Sequence, residues 1–181
     1  VNFMVDTEVI DWYYITPNTY LIEPVEHKGK HCSLVYDKFG IFYVDKKPLK
    51  LVGDTLKKLG TTYKASTDFS KRFFGKEKHK LPIVLSYDQP YAFFPLLSPY
   101  SSKNIWIAQH AIINIQKCED STIITLKNDY EITLPIHYPS FCTQYVCATM
   151  LLKFALKQRE AIHKELGLLQ IAKEKENAII E

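Results

Sequence analysis

Residues able to do covalent or metal chemistry are present in this chain, but their spacing does not let them work together. His27, His31, His79, His110, His137 and His163 never fall into a metalloprotease spacing. Cys142 and Cys147 stand five apart on what reads as a helix, on different faces, so they do not share a zinc ion and read as small core residues. His27, His31 and Cys32 are close in sequence but lack a fourth ligand at the start of a strand, which makes them surface histidines. Gly75-Lys76 has neither the upstream glycine nor the following Ser or Thr of a phosphate loop, and there is no Gly-x-Ser-x-Gly elbow. The carboxylates are scattered and form no obvious acid–base pair. No catalytic site, metal or cofactor is expected. What remains is cation and aromatic chemistry, densest where Phe69, Lys71, Arg72, Phe73, Phe74, Lys76, Lys78, His79 and Lys80 follow one another.

The charge is unevenly placed. Residues 1–26 carry five acids and no Lys or Arg, a net of −5. Residues 27–80 carry 13 Lys and one Arg against five acids, a net of +9, and the remaining residues come to −1. Cations gathered into one third of a chain suit a polyanionic partner. Lys46, Lys47, Lys50, Lys57, Lys58 and Lys64 join Lys71, Arg72, Lys76, Lys78 and Lys80 as candidate nucleic-acid contacts. With 181 residues, 46% of them hydrophobic and 24% charged, the chain suits a single soluble domain. No apolar run approaches the roughly 20 residues of a transmembrane helix, and the acidic first residues are unlike a secretory n-region. Four scattered cysteines that need not pair fit a reducing cytoplasm.

The elements that must position these cations read as α+β. Residues 1–139 are mainly strands of a mostly antiparallel sheet, and residues 140–181 are helical. Val9 to Ile15 and Thr19 to Ile22 read as strands about a Pro17-Asn18 turn, and Cys32 to Tyr36 and Ile41 to Val44 as a hairpin. Leu49, Val52, Leu56 and Leu59 recur at helical spacing between Pro48 and Gly60, which predicts one short amphipathic helix with Lys50, Lys57 and Lys58 outward. Residues 61–80 show little periodicity and read as a loop or ragged β-arm from which Arg72 projects. Ile83 to Leu85, Tyr91 to Phe94 and Ile105 to Ile107 read as further strands, followed by a meander from Ile112 to Leu134. Ser140 is the predicted N-cap of a long helix whose first half is apolar nearly all round. Its second half is amphipathic, with a break or bend expected at Gly167. Leu152, Leu156, Ile162, Leu166 and Leu169 are the candidate self-association residues on this helix.

Several separated segments resemble the family of the competence transcription factor ComK. They are Ile41-Phe42-Tyr43-Val44 through Lys47-Pro48-Leu49 to Leu59-Gly60-Thr61-Thr62-Tyr63, then His79-Lys80-Leu81-Pro82-Ile83. Phe93-Phe94-Pro95-Leu96-Leu97-Ser98 follows, then Asn104-Ile105-Trp106-Ile107 with His110, and Leu134-Pro135-Ile136-His137-Tyr138 with Ser140-Phe141 and Gln144-Tyr145. The resemblance implies an activator of competence genes that binds paired AT-rich boxes through the minor groove, as dimers that assemble further. It also implies an adaptor that delivers the protein to a Clp protease, and a cytoplasmic, nucleoid-associated location. The chain departs from the pattern after Tyr63, where Lys64-Ala65-Ser66-Thr67 replaces a Gly and basic pair, and it has no aromatic-hydrophobic tail motif before Glu181. Two other readings stay open beside it. One is a single-strand or RNA binder with aromatics exposed on a sheet face. The other is a protein-interaction module that docks through the C-terminal helix, with an exposed apolar patch near Leu166 to Ile171.

Overall fold

A computed structural model of the chain describes residues 5–180. Residues 1–4, the Asp6 side chain within the acidic N-terminal stretch, and Glu181 lie outside the described residues. The architecture is α+β, as the periodicities require, but the strands divide between two sheets. The larger has seven strands: β1 (Val5–Ile10), β2 (Thr19–His27), β3 (Lys30–Asp37), β4 (Gly40–Val44), β5 (Ile83–Leu85), β6 (Tyr91–Pro95) and β7 (Trp106–Ala108). Their order is β1-β4-β3-β2-β7-β6-β5, antiparallel except for the β1–β4 pair. The smaller is the expected meander, β8 (Ile112–Cys118), β9 (Ser121–Leu126) and β10 (Glu131–Leu134). The strand expected over Val9 to Ile15 ends early, because β1 stops at Ile10. The aromatics that follow leave the ladder for side-chain bonding: the Tyr13 hydroxyl donates to Asp37 Oδ2 at 2.5 Å.

The core lies on strands that are apolar on both faces. Leu21, Ile22, Val35, Phe93, Phe94, Trp106 and Ile107 are all fully buried. Helix α1 (Pro48–Lys58) closes one side through Leu51, Val52, Thr55 and Leu56, with Pro48 at its start and the positive-φ Gly60 just beyond its end. Leu59 turns outward rather than completing the predicted stripe. The Thr55 hydroxyl does structural work by accepting from Ile15 N at 3.0 Å. Truncating a fully buried residue such as Leu51 to Ala costs about 2–5 kcal/mol.

Residues 61–80 are not an arm. Tyr63–Phe74 form a second short helix, α2, which overturns the reading of one short helix and of an irregular basic stretch. Thr62 caps it by accepting from Ala65 N at 3.1 Å, and Gly75 at φ 88° ends it. Its buried positions are Ser66 and Ser70 rather than aliphatic residues, which is why no hydrophobic period announces it. Ser70 Oγ donates to Pro82 O at 2.5 Å, so a hydroxyl seats the helix where a leucine would elsewhere.

Helix α3 (Tyr138–Ile180) is 43 residues long. It starts two residues before the expected Ser140 cap, with Phe141 N bonded to His137 O at 3.0 Å. It also runs through Gly167 without a break. A lone glycine in an exposed helix costs only about 1 kcal/mol, which the surrounding Leu, Lys and Glu offset. Phe141, Gln144, Ala148, Leu151 and Ala155 are buried at alternating spacings of three and four, and this stripe packs on β5 and β6. Cys142 and Cys147 flank the stripe half-buried instead of entering the core. From Leu156 onward nearly every described residue is exposed. Among the described residues no helix is long and apolar enough to cross a membrane, and no cluster of His, Cys, Asp and Glu could hold a metal ion.

Candidate nucleic-acid interface

Helix α2 has two chemically distinct sides. Phe69 and Phe73 turn toward α3, with ring centroids 5.4 and 4.9 Å from Phe154. Tyr63 stands edge-on to the buried Trp106 at 6.2 Å, and burial pushes its hydroxyl pKa upward. On the other side Lys64, Thr67, Asp68 and Lys71 recur at one helical face and form one wall of an open groove of about 740 Å³. Lys76, Lys78, His79 and Lys80 form a second wall, and Ser98, Pro99 and Tyr100 a third. Five lysines from two segments therefore face one cleft. Among the described residues Asp68 is the one acid that lines it. Asp68 is already engaged by Lys64 at 2.7 Å, and that hydrogen bond holds its carboxyl below the usual range.

The second wall is fastened from behind. Gln144, buried on α3, donates through Nε2 to Lys80 O at 3.0 Å and to Pro95 O at 2.9 Å. Its Oε1 accepts from Lys78 Nζ at 3.5 Å. Lys80 has φ 53°, an uncommon value for a residue with a side chain, and the Gln144 bond to its carbonyl holds the backbone in that turn. Lys78 also lies over the Phe74 ring at 6.0 Å. Lys64, Lys71, Lys76 and Lys80 are exposed, while Lys78 is half-buried.

The lysines of the α1 region are disposed differently. Lys46 and Lys50 both bind Asp54, at 3.0 and 2.8 Å, so one carboxylate partly neutralises two cations. The bond from Lys50, then that from Lys46, holds the Asp54 carboxyl below its ordinary range against the opposing effect of burial. Lys58 lies over the Tyr14 ring at 5.6 Å. Lys47 lines a separate cavity, and Lys57 is exposed and makes no ion pair among the described residues. Arg72 lies on α2 with its guanidinium 5.2 Å from the Phe69 ring, at the edge of the lysine face and outside the groove lining. The structure thus brings together Lys64, Lys71, Lys76, Lys78 and Lys80, and leaves Lys46, Lys47, Lys50, Lys57, Lys58 and Arg72 apart from that groove. Sequence reasoning missed Tyr63, Thr67, Tyr100 and Gln144. A Thr62 cap followed by the Lys64/Asp68 pair at i,i+4 was the available signal for the helix that gathers them.

The family model for the ComK protein matches residues 10–161. The chain belongs to the ComK family. It is also 29% identical over 173 residues to the competence transcription factor of Bacillus subtilis (strain 168), an alignment spanning 94% of this chain and 90% of that protein. No solved structure matches. These findings support a transcriptional regulator of the competence type, which is not an enzyme class. The ComK match ends at residue 161, close to where α3 leaves the core after Ala155.

Proposed function

We propose that this ComK family member regulates transcription by binding double-stranded DNA through the groove between α2 and residues 76–80. The observation that carries the reading is the convergence of Lys64, Lys71, Lys76, Lys78 and Lys80 on one open cleft with a single, already paired, acid. Lysines set around a cleft neutralise phosphates and supply affinity with no sequence information. Preference for paired AT-rich boxes then comes from the narrow minor groove of such tracts, whose negative potential draws cations inward. The groove edge distinguishes A·T from G·C and little more, so box spacing must be read by more than one protomer.

The exposed half of α3 suits that second role. Ile162, Leu166 and Leu169 lie along one stripe, while Leu152 and Leu156 precede it nearer the core. Leu166, Leu168, Leu169 and Ile171 are each more than half exposed, which also matches the docking-module reading, and self-association joins the two. Truncation before Leu166 is expected to leave a folded protein that associates less by light scattering. The family resemblance adds a Clp-protease adaptor as a further partner, and the same truncation shows whether it grips this half of the helix. A single-strand binder is less well supported. The exposed aromatics Trp12, Tyr14, Phe39, Tyr87 and Tyr100 sit in turns and loops, not along one sheet face.

The deciding experiment titrates AT-rich and GC-rich duplexes at two salt concentrations. Engagement of five or six phosphates gives a log–log salt slope of about −5, with tighter binding to the AT duplex. A slope shallower than about −2 removes the groove from the contact surface.

A further inference from the structure

Of the five exposed aromatic residues among those described, Tyr100 is the most open, at 79%. The other four rest on a neighbour: Trp12 and Tyr14 on each other, Phe39 beside Lys38, and Tyr87 against His163. Tyr100 makes no ring contact, cation contact or hydrogen bond among the described residues. The loop that presents it is stiff. Ser101 N donates to Ser98 O at 2.9 Å, which makes Pro99 and Tyr100 the central residues of a β-turn, with proline where its fixed φ is favoured. A second turn follows at once, from Asn104 N to Ser101 O at 3.1 Å. Leu96 N donates to Ile105 O at 3.1 Å across the base of the loop, and the buried Asn104 accepts there from Leu97 N at 2.9 Å. A bare ring on a rigid turn gives up little freedom when a ligand covers it.

Pro99 and Tyr100 stand between two hollows and line both. On one side lies the groove of five lysines. On the other lies a cavity of about 390 Å³ that carries the exposed Lys47 and His31, with Glu26 opposite His31 on the β2–β3 ladder. A ridge one side chain wide, with cations in the hollows beside it, matches a duplex groove flanked by its two phosphate backbones. The minor groove is about 6 Å wide and takes an aromatic ring edge-on, while the major groove, about 12 Å wide, admits a whole helix and leaves a lone ring loose.

We infer that Tyr100 enters the minor groove edge-on and is the side chain that distinguishes A·T from G·C pairs. Its hydroxyl donates there to adenine N3 or thymine O2, the acceptors that A·T pairs present, whereas the guanine 2-amino group fills the same space and obstructs the ring. The lysines hold phosphate and Tyr100 reads base content, so affinity and preference reside in different residues. This role rests on the proposed DNA binding and adds a base-reading side chain to it.

Fluorescence anisotropy of the full chain with AT-rich and GC-rich duplexes at several salt concentrations tests it. Tyr100→Ala removes no charge, so its salt slope is expected to equal the parent's. Its affinity for the AT duplex is expected to fall about tenfold, and that for the GC duplex less than about twofold, so the preference collapses. Tyr100→Phe keeps the ring and loses only the hydroxyl, and is expected to lose about threefold on the AT duplex alone. With a steep parent slope, Tyr100 loses this role if either variant binds both duplexes as the parent does, or weakens equally on both; the lysine groove then still stands. A parent slope shallower than about −2 removes the groove itself and Tyr100 with it.

Discussion

The two lysine-rich regions of this molecule have similar composition and opposite organisation. Around α1, Lys46 and Lys50 share Asp54, Lys58 is laid over Tyr14, and the remaining cations point to no common space. Around α2, five lysines surround one cleft whose single acid is paired at its edge. Positive charge on a surface steers an anion toward the protein; convergent charge also holds it in one orientation. A cation's value to a polyanion depends on whether its neighbours leave it free and face the same way.

Removing charge from each lysine region in turn separates their contributions most strongly. The triple variant Lys71→Ala/Lys76→Ala/Lys80→Ala is expected to lose about 100-fold or more in duplex affinity near 0.1 M salt, with the salt slope shallower by about 2.7. Lys46→Ala/Lys50→Ala is expected to stay within about threefold of the parent, because Asp54 already holds both cations. Fluorescence anisotropy on one duplex at several salt concentrations reads both. Equal losses from the two variants would erase the distinction.

Gln144→Ala sharpens it from within. It strips the Lys80 and Pro95 carbonyls of their donor, at a cost of about 1–3 kcal/mol in urea unfolding. It also frees residues 78–80, so duplex affinity at a fixed salt concentration falls while every groove lysine is still present. Gln144→Glu keeps the shape but lacks the donor, and is expected to behave like the alanine variant.

A smaller effect attaches to Arg72. On an arm it would enter the narrow groove and read A·T content; on α2, stacked on Phe69, it sits at the margin of the lysine face. Arg72→Ala is expected to weaken AT-rich and GC-rich duplexes by the same few-fold factor, about that of one phosphate contact. A selective loss on the AT duplex would restore the arm's role despite the helix.

The reason Arg72 is misplaced by sequence shows what was legible and what was not. Strands β3 and β4 and helix α1 stand within two residues of where the residue types, Pro48 and Gly60 put them, because most of their buried positions are aliphatic, whereas β2 starts at Thr19 as expected but runs on past Ile22 to His27. Helix α2 hides because Ser66 and Ser70 occupy the positions that would carry the period, and their hydroxyls bond to backbone carbonyls instead. The groove was legible only as a collection of cations. Nothing local in Lys80 indicates that a glutamine 64 residues further along will fix its carbonyl beside that of Pro95. Gly167 misled in the opposite direction, since its propensity cost is small beside the helix formers around it.

The smallest expected effect concerns acid stability, away from both lysine regions. His110 Nε2 donates to Pro17 O at 2.6 Å, while its buried Nδ1 has no hydrogen-bond partner among the described residues. Burial lowers its pKa below the ordinary 6.5, the Pro17 bond opposes this in part, and Lys127 adds to the lowering. The folded state therefore resists a proton that the unfolded chain accepts. Its full contribution to stability is present above about pH 6.5 and is lost as pH falls from there through the depressed value. His110→Gln, which keeps a donor for Pro17, is expected to flatten this part of the acid limb in urea melts between pH 7 and 5. An unchanged limb would assign the loss to other groups.

Helix α3 is a rod pinned near one end. Among the described residues its last buried one is Ala155, and the 25 residues from Leu156 to Ile180 run about 37 Å beyond it. The pinned end carries Gln144, whose amide grips the backbone of the groove itself. Mechanically this is a lever with a long outer arm and a short inner one. A load at the far end, whether a second copy or a machine that pulls, reaches residues 78–80 through a single side chain. The buried stripe from Ala155 back to Phe141 presses on β5 and β6 along the way, so a grip on the tip strains the sheet and the lysine groove together.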